Sequence, residues 1–253
     1  MFGNCYPIAG DASKVRFLKS LPYADTRLVL FQAEIYNPDD FDHAIKGCET
    51  VLHLVTPKRH IQNSQFKNIT DAALAAVKST ATSCIQSGTV KRLIYTSSLS
   101  AAYPVKIDGS GFKDFVDETC WTPPNLSFPF PDDIYKDHVN SKTSVEKEIL
   151  SYDGKLDVVT LTCCGLPGGE TILNHAPGNM WVCISQLTDW KEAYNALKFV
   201  EDFLGIIPVV HVDDACEAHI FCMGNPSISG RFFCPSGYVS TADISNYFQK
   251  NYP

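Results

Sequence analysis

Along this chain, short apolar runs of strand type alternate with longer amphipathic segments of helix type. That alternation admits few folds. It calls for a mostly parallel sheet covered by helices, the α/β class. The strand runs are Arg27-Leu28-Val29-Leu30-Phe31-Gln32-Ala33, Val51-Leu52-His53-Leu54-Val55 and Arg92-Leu93-Ile94-Tyr95-Thr96-Ser97, followed by 156–161, 206–212 and the short Arg231-Phe232-Phe233-Cys234. Residues 39–46 read as a short helix closed by Gly47. Residues 64–87 read as a long helix with Phe66, Ile69, Ala73, Leu74, Val77, Cys84 and Ile85 on its apolar stripe, ended by Gly88. A further helix covers 134–151, Asp213-Asp214 start another, and Thr241 caps a last one that reaches Lys250. The stretch 99–131 is rich in Gly, Pro and Ser and long enough to be a functional loop over a cleft. Residues 167–205 are expected to belong to a smaller substrate-side lobe.

Composition narrows the function classes. The net charge is −7 and no basic block is longer than Lys58-Arg59, which argues against nucleic acid or an anionic membrane as partner. No run approaches the roughly 20 apolar residues that span a bilayer, and residues 1–10 lack the pattern of a signal peptide. The ten cysteines form no CxxC pair, and Cys163-Cys164 are adjacent. They are expected to be reduced thiols of a cytoplasmic protein, with no metal site.

The helix over 134–151 carries the most informative pattern. Tyr135, His138, Lys142, Val145 and Ile149 are spaced three and four apart and so share one face. Val145 and Ile149 mark that face as buried, where a Lys or His needs a partner. The preceding strand ends in Thr96-Ser97-Ser98, and in parallel sheets functional groups collect at the carboxyl ends of strands. Two readings stand side by side. Ser98, Lys142 and an aromatic or imidazole group meet in one cleft, or Lys142 snorkels to solvent and the serines are turn residues.

Four stretches resemble one family. Lys91-Arg92-Leu93-Ile94-Tyr95-Thr96-Ser97-Ser98 is similar to the serine strand of the extended short-chain dehydrogenase/reductases. Asp117-Glu118-Thr119-Cys120-Trp121 is similar to a loop of the dihydroflavonol reductase group. Ser141-Lys142-Thr143 with Glu146-Lys147 resembles the end of that group's YxxxK helix, and His211-Val212-Asp213-Asp214 its late strand and helix start. Within the group, the grass NADPH-dependent HC-toxin reductases are the nearest resemblance. The resemblance implies a Rossmann-type doubly wound parallel sheet with a small substrate lobe. The division would be 1–166 for the dinucleotide-binding part, 167–205 for part of the lobe, and 206–253 shared between them. It implies NADPH-dependent reduction of a ketone or aldehyde on a flavonoid- or toxin-like plant molecule. Ser98 would hold the carbonyl oxygen, and Lys142 would bind the nicotinamide ribose and lower the pKa of an acidic tyrosine. Val55, Thr56, Pro57 and Thr96 would line the cofactor cleft, with Gly165 and Leu166 near the nicotinamide.

The chain departs from that pattern in three places. Four residues before Lys142 stands His138, a shorter acid whose charged form a neighbouring Lys⁺ disfavours. Tyr135 lies one turn earlier, about 4.5 Å along the axis. No G-x-x-G-x-x-G turn is present, since Gly3, Gly10 and Gly47 lack its spacing. Residues 1–8 are expected to stand where the family has its first strand, first helix and second strand. NADPH binding should be weakened, and unpaired inner sheet edges should favour self-association. Relative to the family, the chain is expected to be shortened at both ends. The alternative to an active reductase is an impaired relative that binds a ligand or partner without turnover.

Overall fold

A computed structural model describes residues 2–6, 12–54, 56–57, 65–106, 108, 110–124, 126, 133–163, 166–168 and 180–252. The strands are β1 (Phe2–Tyr6), β2 (Leu28–Gln32), β3 (Thr50–His53), β4 (Arg92–Ser98), β5 (Asp157–Cys163), β6 (Leu166–Gly168), β7 (Ile207–His211), β8 (Gly230–Cys234) and β9 (Gly237–Val239). The helices are α1 (Ala12–Lys19), α2 (Ala24–Arg27), α3 (Asp42–Ile45), α4 (Ile69–Ser87), α5 (Asp133–Leu150), α6 (Met180–Cys183), α7 (Ser185–Thr188), α8 (Lys191–Leu204), α9 (Val212–Gly224) and α10 (Thr241–Asn251).

The α/β class is as the alternation requires. Strands β3, β4, β5 and β8 form one sheet in that order, and β3 pairs with β4 in parallel, Leu52 facing Ile94. β1 and β2 form a separate parallel pair, and β6-β7-β9 a third sheet. In the third, β6 runs parallel and β9 antiparallel to β7. β4 is buried along most of its length, the signature of a strand covered on both faces, in keeping with its consecutive apolar residues Leu93, Ile94 and Tyr95.

The chain divides into two compact units. The first is Met1–Thr96, Asn125–Thr160 and Pro226–Gly230; the second is Ser97–Pro124, Leu161–Asn225 and Arg231–Pro253. The core of the first unit joins Ala73, Val77, Ala81 and Cys84 of α4, Leu93 and Tyr95 of β4, Val145 and Ile149 of α5, and Val158 of β5. Arg92 anchors its lower edge. It is buried, binds Asp157 at 2.5 Å and donates to the Ile228 carbonyl. The second unit has two smaller clusters, one around Leu99, Ala102 and Cys120, the other around Leu197 and Ile207.

Several local expectations change. Residues 2–6 are themselves a strand, paired residue for residue with β2, and α1 follows them. Backbone pairing with a neighbour supplies what the weak side-chain pattern of that stretch does not advertise. The long helix starts at Ile69 rather than 64, because the Asn68 side chain accepts from the Asp71 N–H and caps it. Ile85 is 40% exposed and lies off the buried stripe, which keeps Ile69, Ala73, Val77 and Cys84 and also takes in Ala72, Ala76 and Thr80. Gly88 ends α4 at a φ of 65°, a conformation that favours glycine. Ser240, not Thr241, caps α10, forming a reciprocal box with Asp243. Thr241 is thereby free to bind Glu201 of α8 through both its N–H and its hydroxyl.

Candidate cofactor and active site

Two helical turns of α5 set the site. Val139, Val145 and Ile149 bury its apolar face, and this burial carries Ser141, Lys142 and Glu146 inward with it. Glu146 is fully buried and accepts from the Thr160 hydroxyl on β5 at 2.8 Å. Lys142 is 8% exposed, so it does not reach along the helix into solvent. Its Nζ donates to the carbonyl of Thr96 at 3.1 Å and lies 5.2 Å from the centre of the Tyr95 ring. A cation over an aromatic face in a dry setting is attracted to it. The ammonium is thus fixed against the end of β4.

Tyr95 is the neighbour that sequence spacing did not reveal. It is completely buried, its ring also stands 5.8 Å from that of His53, and its hydroxyl has no hydrogen-bond partner among the described residues. The Thr56 hydroxyl, just beyond β3, is likewise buried without one. Burial pushes the Tyr95 phenol above its ordinary pKa, and the Glu146 carboxylate adds to this while the nearby Thr56 hydroxyl opposes it. Tyr95 therefore stays protonated, its ring facing the Lys142 ammonium. The consecutive apolar residues Leu93-Ile94-Tyr95 read only as core.

The other expected site residues fall as follows. Pro57 is buried beside Thr56. His138 is half-buried on α5. Tyr135 lies within the first turns of α5, and its side chain lies outside what is described. Val55 and Gly165 lie outside the described residues. Leu166 begins β6, its backbone paired with Val209. Ser98 ends β4 in the second unit, where its hydroxyl accepts from the Ser100 N–H and hydroxyl at 3.3 and 3.0 Å. The structure thus brings Lys142, Thr96, Tyr95 and Thr56 together within the first unit.

The loop after Ser98 is pinned by Arg231, which the sequence reading passed over. Its guanidinium donates to the carbonyls of Ala101, Glu118 and Cys120 and stacks 3.9 Å from the centre of the Trp121 ring. The Phe233 N–H donates to the Glu118 carboxylate, and Thr122 bridges the Ser100 carbonyl and the Tyr103 N–H. The Asp117-Glu118-Thr119-Cys120-Trp121 stretch is therefore held by β8 within the second unit.

A nicotinamide cofactor fits these residues at one end. Lys142 offers a buried cation and Thr56 a buried hydroxyl beside the Tyr95 phenol, both suited to ribose oxygens. Among the described residues, three or more His, Cys, Asp or Glu never group as a metal site, and no helix is long and apolar enough to cross a membrane.

The sequence profile of the 3-beta hydroxysteroid dehydrogenase/isomerase family matches residues 14–220. The chain belongs to this family. Membership in the 3-beta hydroxysteroid dehydrogenase/isomerase family agrees with the resemblance to extended short-chain dehydrogenase/reductases. Vestitone reductase of Medicago sativa is 32% identical over 94% of this chain and 70% of that protein. Dihydroflavonol 4-reductase of Solanum lycopersicum is 30% identical over 96% of this chain and 60% of that protein. The crystal structure of vestitone reductase matches with a TM-score of 0.74, covering 99% of this chain and 74% of that one. Yeast Gre2, solved with NADPH, shares the fold at a TM-score of 0.72 and 17% identity, over 99% of this chain and 75% of its own. The fold is of the Rossmann type. The chain spans roughly two thirds of the length of the curated relatives it matches.

Proposed function

We propose that this chain is an NADPH-dependent reductase of a ketone or aldehyde on a plant-type phenolic molecule. The observation that carries the reading is Lys142, a buried ammonium held at 3.1 Å from the Thr96 carbonyl in a member of a dehydrogenase family. When bound, NADPH supplies the hydride. The chain's own residues then divide the remaining work. Lys142, steadied by Thr96 and Tyr95, binds the nicotinamide ribose, with Thr56 and Pro57 beside it. By the family resemblance, Val55, Gly165 and Leu166 would also belong to the cofactor side. Ser98 holds the substrate's carbonyl oxygen, and His138 or Tyr135 delivers the proton to it. Self-association through unpaired sheet edges belongs to the same proposal.

A second reading is favoured by one residue. His138 stands four positions before Lys142, where the family's tyrosine is expected. A chain with this histidine binds cofactor and turns over slowly or not at all. Titrating the chain with NADPH, followed by cofactor fluorescence or calorimetry with NADH as control, separates the readings from their joint failure. Saturable binding at a Kd of roughly micromolar order is expected. His138→Tyr should then raise carbonyl reduction by roughly 10²–10⁴-fold if the acid is the only defect. Absence of binding at millimolar NADPH would sink the oxidoreductase reading altogether.

A further inference from the structure

Two neighbouring strands of the four-stranded sheet each end in a cysteine. β5 closes on Cys163 and β8 on Cys234. Adjacent strands run roughly 4.8 Å apart, and the Cys234 thiol stands within hydrogen-bond reach of Cys163, so the two residues meet inside the separation that a disulfide spans. Both thiols are reduced here and half-buried, so small reagents can reach them. Both residues lie in the second unit.

We propose that Cys163 and Cys234 are a dithiol pair that closes to a disulfide by exchange with a low-molecular-weight disulfide. The chemistry balances without any group from the reductase site. One protein thiolate attacks a sulfur of the external disulfide, forming a mixed disulfide and expelling one reduced thiol. The second protein thiol loses its proton to water and attacks the protein-bound sulfur of that mixed disulfide. It expels the second reduced thiol, and the external disulfide has taken up the two electrons.

The surroundings fit a pair that stays reduced at rest. Burial raises the pKa of the Cys234 thiol, the Asp214 carboxylate raises it further, and its hydrogen bond with Cys163 works in the opposite direction. A thiol held protonated is a slow nucleophile, so closure awaits a first attack on one member. Cys216 and Cys222 are carried on α9 and Cys183 on α6, elements that contribute no strand to this sheet.

The test uses the whole chain and needs neither NADPH nor activity, so its outcome is separate from that of the proposed function. The folded chain is incubated with oxidised glutathione, remaining thiols are alkylated, and digested peptides are identified by mass spectrometry. The expected product is one linked pair of peptides, carrying Cys163 and Cys234, that disappears after dithiothreitol. Cys234→Ser should stop the reaction at a glutathione adduct on Cys163, and Cys163→Ser at one on Cys234. Cys164→Ser should leave the linkage intact. A wild-type chain that carries only glutathione adducts at both positions overturns the proposal, as does one that links either cysteine to Cys164 or Cys183.

Discussion

Lys142 and Glu201 are two charged side chains held in opposite ways. Lys142 gives up water for one carbonyl and an aromatic face, an arrangement that contributes little to net stability. Lys142→Met should therefore leave the thermal midpoint unchanged or higher while weakening NADPH binding by roughly tenfold or more. A large loss of stability with binding intact would mean the lysine is structural. Glu201 is the reverse case. Hydrogen bonds from Lys198 and then Thr241 hold its carboxyl down at about 2 from an ordinary 4.5. The folded chain thus binds this proton more weakly than the unfolded chain. The stabilisation is complete above pH 4.5 and is lost as pH falls through about 2. The gap in thermal midpoint between wild type and Glu201→Gln should close across that window. A gap that stays constant down to pH 2 would show that the carboxylate's charge is not what ties α8 to α10.

At the scale of elements, β8 does more than fill the sheet. β8 places Arg231 so that one guanidinium serves three carbonyls and a tryptophan face of the loop after β4. Arg231→Met should cost about 2–4 kcal/mol in urea denaturation, the range for removing the cationic partner of several carbonyls. The same variant should shift the emission of Trp121, since the cation over its ring is gone. An unchanged midpoint would show the loop to be held by Thr122 and the Leu99–Ala102–Cys120 cluster instead. The long loop was legible from its Gly, Pro and Ser content, but its anchor was not, because Arg231 lies more than a hundred residues further along.

Across the whole molecule, the parallel strands fall into separate sheets. β3 has β4 on one side and no strand on the other among the described residues. Next to that free edge, Leu52 and Leu54 point to one face and are 38% and 51% exposed. An unpaired edge with apolar side chains is a template for another chain. Leu54→Lys, beside the edge, should lower concentration-dependent association in sedimentation velocity while circular dichroism stays unchanged. Association of equal strength in this variant would place the contact elsewhere.

The alternation of apolar runs with amphipathic segments determined the α/β class, and the motifs around Ser98, Lys142 and His211 pointed to the family. These signals are local. They follow from the two-residue period of a strand and the 3.6-residue period of a helix. Helix starts at Asn68 and Ser240 were blurred because several polar residues can cap and only backbone geometry selects among them. Tertiary structure alone decided that Lys142 turns inward. Spacing left it equally able to snorkel, and the choice rests on the Thr96 carbonyl and Tyr95 ring some 46 residues earlier in the chain. It also decided that residues 2–6 are a strand. That stretch becomes one by pairing with β2, and the hydrogen bonds of a parallel neighbour leave no trace in either strand's own sequence.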